Sequence, residues 1–224
     1  MGYETAQSIE NVQNGLEGQG YFPSEGLASA IFLAISLQRP IFLEGEPGVG
    51  KTEVAKVLSS WLNTELIRLQ CYEGLDASHA IYEWDYSKQL LHLRTTEASG
   101  RAKQIDEKEL EDELYNERFL VRRPLLQAID YEGETPPVLL IDELDRADDE
   151  FEAFLLELLS DYSITIPEIG AFKATAPPIV VITSNRTRDV HDALKRRCLY
   201  HWVDHPGYLR EIQILKAKAT DVSE

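Results

Sequence analysis

The chain has little cysteine, little positive charge and no long apolar run. Its two cysteines, Cys71 and Cys198, are too few for a disulfide-stabilised secreted scaffold. The longest useful apolar stretch, residues 30–37, falls far short of the roughly 20 residues that a membrane-spanning helix needs. Because the sequence also shows no signal-peptide pattern, we predict a cytoplasmic protein with no membrane span.

The shortage of positive charge gives the chain a strongly acidic character. Lysine and arginine total 22 against 39 aspartates and glutamates, a formal net charge of −17. A surface this acidic repels phosphate backbones, so we predict no nucleic-acid partner. Residues 106–117 and 142–152 each hold seven acids and one base. The first window is typical of a solvated helix or a mobile segment, whereas the second begins on an apolar strand.

An alternation of apolar runs and amphipathic segments predicts the fold class. Short apolar runs that indicate buried strands occupy residues 41–43, 66–71, 138–141, 179–182 and 199–203. Segments that indicate helices occupy residues 25–38, 51–62, 149–161 and 190–197. This alternation is typical of a three-layer α/β domain with a mostly parallel five-stranded sheet.

Three further segments have weaker patterns. Residues 1–20 are polar and glycine-rich, which predicts a flexible N-terminal arm. Short alternating stretches predict hairpins over residues 79–93 and 162–173. A helix interrupted at Pro124 is predicted over residues 119–129.

A glycine-rich segment follows the first predicted strand and opens a predicted helix. It matches the pattern G-x-x-x-x-G-K-[ST] in full, in the strand–loop–helix context that the pattern requires. Its glycines let backbone N–H groups point inward around a β-phosphate at a helix N-terminus. Lys51 would bridge the β- and γ-phosphates, and Thr52 would offer its hydroxyl to Mg²⁺. The segment consists of Gly45, Glu46, Pro47, Gly48, Val49, Gly50, Lys51 and Thr52.

Two acids end the apolar strand predicted over residues 138–141. Ligands bind at the carboxyl edge of the strands in open α/β sheets, so this is the expected place for a metal site. Asp142 is predicted to hold Mg²⁺ through water, and Glu143 to orient and deprotonate an attacking water.

Polar residues also follow the next two predicted elements. Asn185 comes just after the strand of residues 179–182, where its amide could hydrogen-bond a γ-phosphate or the lytic water. Arg196 and Arg197 end a predicted helix, where cations suit the helix dipole. An alternative is that one guanidinium reaches a neighbouring subunit's γ-phosphate as an arginine finger.

A zinc site is a competing interpretation of Cys198, His201 and His205, which have the spacing C-x2-H-x3-H. If residues 199–203 form a strand, Cys198 and His201 point to opposite faces, which disfavours convergence on one metal.

Taken in order, the phosphate loop, the Asp142–Glu143 pair, Asn185 and the arginine pair resemble an AAA+ ATPase. Residues 141–147 (IDELDRA) resemble the segment after the second motif in the MoxR family. The stretches 79–93 and 162–173 lie where that family carries its insertions. Residues 69–74 (LQCYEG) and 184–188 (SNRTR) are most similar to the branch involved in carbon monoxide dehydrogenase maturation (CoxD-like).

The resemblance covers residues 22–215 and implies a ring-forming remodeller driven by ATP and Mg²⁺. Such proteins are often hexameric, act on a protein client, help to assemble metal-cofactor enzymes, and frequently work with a partner bearing a von Willebrand factor A domain. The implied roles are Walker A for Lys51 and Thr52, Walker B for Asp142 and Glu143, sensor 1 for Asn185, and arginine finger for Arg197 or, second, Arg196.

The resemblance also implies a division of the chain. We expect a flexible arm over residues 1–20 and an AAA+ core over residues 21–205, with a helix-2 insert and a hairpin before sensor 1. Residues 206–224 are expected to begin a helical lid whose greater part, including a sensor 2 arginine, is absent from this chain.

Two other functions stay open from the sequence. One is a nucleotide-binding assembly module with weak or vestigial hydrolysis, which the presence of Glu143 disfavours. The other is a phosphotransferase acting on a small molecule, which would need arginine-rich acceptor segments where this chain is acidic.

Overall fold

The computed structural model describes residues 6–101 and 106–218. Its strands are β1 (Ile41–Glu44), β2 (Leu66–Gln70), β3 (Tyr82–Trp84), β4 (Leu120–Arg122), β5 (Val138–Asp142), β6 (Ser163–Ile166), β7 (Gly170–Lys173), β8 (Ile179–Ser184) and β9 (Leu199–Trp202). Its α-helices are α1 (Ile9–Gly18), α2 (Glu25–Leu37), α3 (Lys51–Leu62), α4 (Ala77–Ile81), α5 (Tyr86–Ala98), α6 (Glu107–Leu114), α7 (Pro124–Ile129), α8 (Asp149–Asp161), α9 (Asp192–Lys195) and α10 (Tyr208–Lys218).

The predicted parallel sheet is confirmed. Within the described residues, five strands pair in the order β2-β5-β8-β1-β9, and each neighbouring pair is parallel. The register places Gln70 beside Asp142 and Glu44 beside Ser184. The carboxyl ends of four strands therefore meet at one edge, which is where open α/β sheets bind ligands.

Side chains of the central strands alternate between two apolar cores, one on each face of the sheet. Along β5, Leu139 and Ile141 belong to a core with α7 and α8, whereas Val138 and Leu140 belong to a core with α1, α2 and α3. Each fully buried Leu or Ile side chain contributes about 1.5–3 kcal/mol to stability. Burial on both faces explains why these strands are continuous apolar runs and confirms the three-layer α/β arrangement.

The N-terminal segment differs from the predicted flexible arm. Ser8 caps α1 by accepting a hydrogen bond from the Asn11 amide at 3.1 Å, and Val12 and Leu16 are fully buried. Gly15 lies against the Trp61 indole, where an added Cβ would come within 2.1 Å of the ring. The glycine therefore permits close packing of α1 on α3 and does not mark a loose chain. Residues 1–5 lie outside the described residues.

The hairpin predicted over residues 79–93 is wrong. These residues contribute to α4, β3 and α5, and β3 pairs antiparallel with the distant β4. Asp85 caps α5 by accepting from the Lys88 amide at 3.0 Å, so the alternating stretch after it becomes helical.

Several other predictions need changes of boundary. The helix predicted over residues 119–129 begins only at Pro124, which occupies the first turn of α7, because residues 120–122 form β4. The helix predicted over residues 190–197 is reduced to α9. The hairpin predicted over residues 162–173 is confirmed as β6 and β7, and the acidic 106–117 window forms α6 over most of its length.

No helix in the two described segments is both long enough and apolar enough to cross a membrane.

Candidate active site

The loop between β1 and α3 has the backbone of an anion cradle. Gly48 and Gly50 adopt positive φ angles of 87° and 93°, which glycine reaches without the strain that a Cβ would add. α3 then begins at Lys51, so the amides of its first turn and the positive end of its dipole face the loop. This geometry suits a phosphate group.

Lys51 lies inside this cradle. Its Nζ donates to the carbonyl oxygens of Gly45 and Glu46, both at 2.7 Å, and the residue is 6% exposed. Burial lowers the pKa of Lys51, while the nearby carboxylates of Asp145 and Asp142 act in the opposite direction. The ammonium is thus held inside the loop by two carbonyl oxygens, with carboxylates nearby that favour its charged form.

Asp142 brings the loop and β5 together. Its Oδ1 accepts hydrogen bonds from Thr52 Oγ1 at 2.9 Å and from Thr183 Oγ1 at 2.6 Å, and the residue is 2% exposed. A threonine hydroxyl beside a carboxylate is an all-oxygen donor set of the kind that Mg²⁺ prefers when substrate phosphates complete its coordination. Thr52 and Asp142 therefore fit a magnesium ion.

The structure adds a cation that the sequence analysis missed. Arg68, on the neighbouring strand β2, contacts Asp142 Oδ2 through Nη2 at 2.5 Å and through Nε at 3.1 Å. The same guanidinium donates to Gln70 Oε1 at 2.5 Å. Two polar residues at alternate positions of an otherwise apolar strand are a signal that could have revealed this polar face of β2.

Glu143 and Asn185, predicted from separate strands, lie together. Asn185 Nδ2 is 3.4 Å from Glu143 Oε1, and the other carboxylate oxygen accepts from Gln70 at 3.1 Å and Arg146 at 3.0 Å. The Glu143 backbone is left-handed, with φ of 55°, and its amide donates to Thr183 Oγ1 at 2.9 Å. The carboxylate, one third exposed, is held at the sheet edge where water can reach it.

Asp145 was also missed, and it positions the loop that carries Asn185. Its carboxylate accepts from the backbone amides of Asn185 at 3.1 Å and Thr187 at 2.9 Å, and from the Thr187 hydroxyl at 2.6 Å. Burial acts to raise the pKa of Asp145, but the hydrogen bonds from Thr187 and Asn185 outweigh it and lower the pKa overall. Asp145 therefore stays ionised as a structural anchor.

Arg196 and Arg197 do not contact this cluster in the described chain. Both are exposed, and Arg197 donates to the Leu156 carbonyl at 2.6 Å and to the Ser160 hydroxyl on α8. The two arginines thus lie on the surface, outside the site that Lys51 and Glu143 form.

A cavity of about 510 Å³ opens beside the loop. Tyr21 and Phe22 line it on one side, Gly50 and Val57 on another, and Arg210 and Ile214 of α10 on a third. Its volume lies in the range of small-molecule sites. No motif marks the residues before α2, so their place in the site could not be predicted from the sequence.

The described residues hold no group of three or more His, Cys, Asp and Glu side chains that could bind a metal. Cys198 donates its thiol to the Leu194 carbonyl, and burial raises its pKa to about 12. His205 lies instead 3.3 Å from Glu46 in the phosphate loop. Nothing in this arrangement supports the zinc interpretation of these residues.

Two known proteins are similar to this chain, one in fold and one in sequence. The crystal structure of a protein described as a "putative ATPase" from Cytophaga hutchinsonii ATCC 33406 has a TM-score of 0.64 and 16% identity, covering 99% of this chain and 57% of that one. At this identity the likeness shows the fold alone. The "Uncharacterized protein SH1500" of Staphylococcus haemolyticus (strain JCSC1435) is 29% identical over 185 residues, 80% of this chain and 59% of that protein. The chain therefore spans less than two thirds of the length of either relative.

A family match gives the classification. Residues 40–198 match the family described as "AAA domain (dynein-related subfamily)". The matched region runs from the residue before β1 to the residue before β9, so it contains the phosphate loop, Asp142, Glu143 and Asn185. With well over half of its length matched, this chain belongs to the AAA domain family, dynein-related subfamily.

Proposed function

We propose that this chain binds ATP with Mg²⁺ and hydrolyses it. The observation that carries the proposal is the 2.9 Å hydrogen bond between Thr52 and Asp142, which lie 90 positions apart in the sequence. It joins the end of the phosphate loop to the strand edge that also presents Glu143 and Asn185. AAA domains bind nucleotide, typically with Mg²⁺, and the oxygen donors present here suit that pair.

Each part of the site has a role in this proposal. The loop amides and the Lys51 ammonium bind the phosphates, for which Lys51 exchanges its two carbonyl acceptors for phosphate oxygens. Thr52 and Asp142 hold Mg²⁺, which when bound neutralises charge on the β- and γ-phosphates. Glu143 accepts a proton from the attacking water. Asn185, whose Nδ2 lies 3.4 Å from Glu143 Oε1, orients that water.

The cavity beside the loop suits the nucleoside. Its wall contains the Tyr21 and Phe22 side chains, on which a purine ring can pack. Its opposite side is α10, so bound nucleotide would contact both the segment before α2 and the segment after β9. This arrangement supports a core that ends near residue 205 and a lid that begins at residue 206, whereas the packing of α1 extends the core to the N-terminal side of residue 21.

Phosphate release tests the proposal. Glu143→Gln should lower the turnover number by about 10²–10⁴-fold, the usual contribution of a general base, while binding of a nucleotide analogue is retained. Glu150→Gln is a matched control, because Glu150 is an exposed acid on α8 outside the cluster. Undiminished hydrolysis by Glu143→Gln would show that Glu143 is not the base.

We further propose a MoxR-like ring that remodels a protein client in the maturation of a metal-cofactor enzyme. The order of the motifs and the amino-acid sequence of residues 141–147 support this assignment. Two insertions into the core also support it: the segment from β3 to β4, which contains α5 and α6, and the β6–β7 hairpin before β8. A von Willebrand factor A domain protein is the proposed partner, and a soluble cytoplasmic location is the proposed setting.

Two measurements test these finer points. Sedimentation with and without ATP and Mg²⁺ measures the oligomeric state, and a chain that stays monomeric at micromolar concentration in both would contradict the ring. Hydrolysis measured with apo and metal-loaded forms of a candidate client enzyme should rise with the apo form only. Equal rates of hydrolysis with the apo and metal-loaded forms would contradict a role of this chain in maturing that enzyme.

A further inference from the structure

Glu44, the last residue of β1, is a buried carboxylate directly before the phosphate loop. It is 3% exposed, and its charge acts on the site described above only as one of several carboxylates that favour the charged form of Lys51. Burying a carboxylate is costly unless cations and hydrogen-bond donors compensate it. The residues that contact the Glu44 carboxylate therefore show which parts of the chain are held at this end of β1.

Among the described residues, three side chains contact this carboxylate. The Ser184 hydroxyl on the neighbouring strand β8 donates to Oε1 at 3.4 Å, and the other two partners come from either side of the arginine pair. Lys195 Nζ lies 3.4 Å from Glu44 Oε1, and the Tyr200 hydroxyl donates to Glu44 Oε2 at 2.8 Å. Lys195 directly precedes Arg196, and Tyr200 lies on β9 shortly after Arg197. The short segment that carries both arginines is thus tied at both ends to one carboxylate.

Two further contacts stiffen this connection. The Tyr200 and Phe42 rings stack with centroids 6.1 Å apart, and Lys195 Nζ lies 5.7 Å from the centroid of the same Phe42 ring. Burial, together with the hydrogen bond to Glu44 and its charge, raises the pKa of Tyr200 to about 12. The phenol therefore remains protonated and keeps donating across the physiological range.

We propose that Glu44, through Lys195 and Tyr200, positions the arginine pair that this chain presents to the active site of a neighbouring subunit. The inference rests on the proposed ring and on an arginine acting between subunits. Glu44, Lys195 and Tyr200 are positioning residues, since none of them contacts the Lys51 and Asp142 cluster. The phosphate loop, which starts at Gly45, and the arginine segment share Glu44 as a common anchor.

If the proposal is right, Lys195 matters only in the subunit that supplies the arginines and not in the subunit that hydrolyses ATP. Mixing two inactive variants of the full chain tests this difference between the two subunits. Donor subunits carry Glu143→Gln and keep their arginines, and acceptor subunits carry Arg196→Ala with Arg197→Ala and keep Glu143. Hydrolysis restored on mixing reports an arginine that reaches across the interface. Lys195→Met, which removes the ammonium at similar volume, is then added to the donor or to the acceptor.

Lys195→Met in the donor should lower the restored hydrolysis by about tenfold or more, because small displacements of a catalytic group cost rate steeply. The same substitution in the acceptor should leave restored hydrolysis unchanged, and Lys195→Arg in the donor should retain most of it. Equal losses from donor and acceptor would mean a general structural effect and would overturn the inference. No loss from either would overturn it as well.

Failure of the proposed role of the arginines between subunits is already visible in the parent mixture, which carries no substitution at Lys195. If the parent mixture restores no hydrolysis, the arginine does not act between subunits and this inference falls with that role. Thermal unfolding of each variant before mixing confirms that only folded subunits are compared. Should Lys195→Met fail to fold, Tyr200→Phe removes a single hydroxyl from the other end of the segment and must show the same asymmetry for the inference to stand.

Discussion

Arg68 lies 2.5 Å from Asp142 Oδ2, so β2 supplies the cation beside a carboxylate that is 2% exposed and also contacts Thr52. A buried carboxylate is stable as an ion only with such compensation. Because the Arg68 side chain is itself 49% exposed, solvent screens part of the attraction. The pair joins the edge strand of the sheet to the centre of the candidate site.

Removing the Arg68 charge should reduce stability. We expect Arg68→Gln to lower the free energy of unfolding by about 1–2 kcal/mol, below the value for a fully buried pair because of the screening. Urea unfolding measures the change. Lys56→Gln is the matched control, since its pair with Glu53 is exposed on both sides and should contribute about 0–1 kcal/mol. Equal small changes in both variants would show that Arg68 does not compensate Asp142.

Asn185 controls the surroundings of the proposed base. Asn185→Asp places a second carboxylate about where the amide lies, 3.4 Å from Glu143. The added negative charge would repel the γ-phosphate and the hydroxide that forms from the attacking water, so Asn185→Asp should lower the rate of hydrolysis more than Asn185→Ala, which adds no charge. Phosphate release at saturating ATP compares the two variants. Equal rates for both would contradict an electrostatic interaction between residues 143 and 185.

Asp145 should make stability depend on acid pH. Its folded-state pKa is lowered from 3.8, so its stabilisation is present above that value and is lost as pH falls through the folded pKa. Asp145→Asn, which cannot reproduce three charge-assisted hydrogen bonds, should cost about 1–3 kcal/mol at neutral pH. The difference in unfolding free energy between wild type and variant should be constant at neutral pH and shrink under acid conditions. A difference that does not change with pH would show that the charge of Asp145 is not involved.

The central strands and the phosphate loop could be predicted from the sequence because each is a local pattern. β5 and β8 are continuous apolar runs, and Lys51 and Thr52 stand in a fixed spacing of glycines. Contacts that depend on strand order could not be predicted. Arg68 meets Asp142 only because β2 pairs with β5, and Glu44 meets Tyr200 only because β9 pairs with β1.

Glycine content was the misleading signal at the N-terminus, and Gly15 shows why. The Trp61 ring fills the space that a Cβ on Gly15 in α1 would take, so Gly15→Ala would place a methyl group in collision with the indole. We expect a loss of about 1–3 kcal/mol, the usual cost of overpacking, measured by urea unfolding. Gly18→Ala in the same helix is the control, because nothing lies within 4 Å of its added Cβ. Since alanine reduces the entropy of the unfolded chain, Gly18→Ala should instead stabilise by about 0.4–1 kcal/mol. If both substitutions stabilised the protein, α1 would not be packed against α3, and the segment would be the loose arm that its composition suggests.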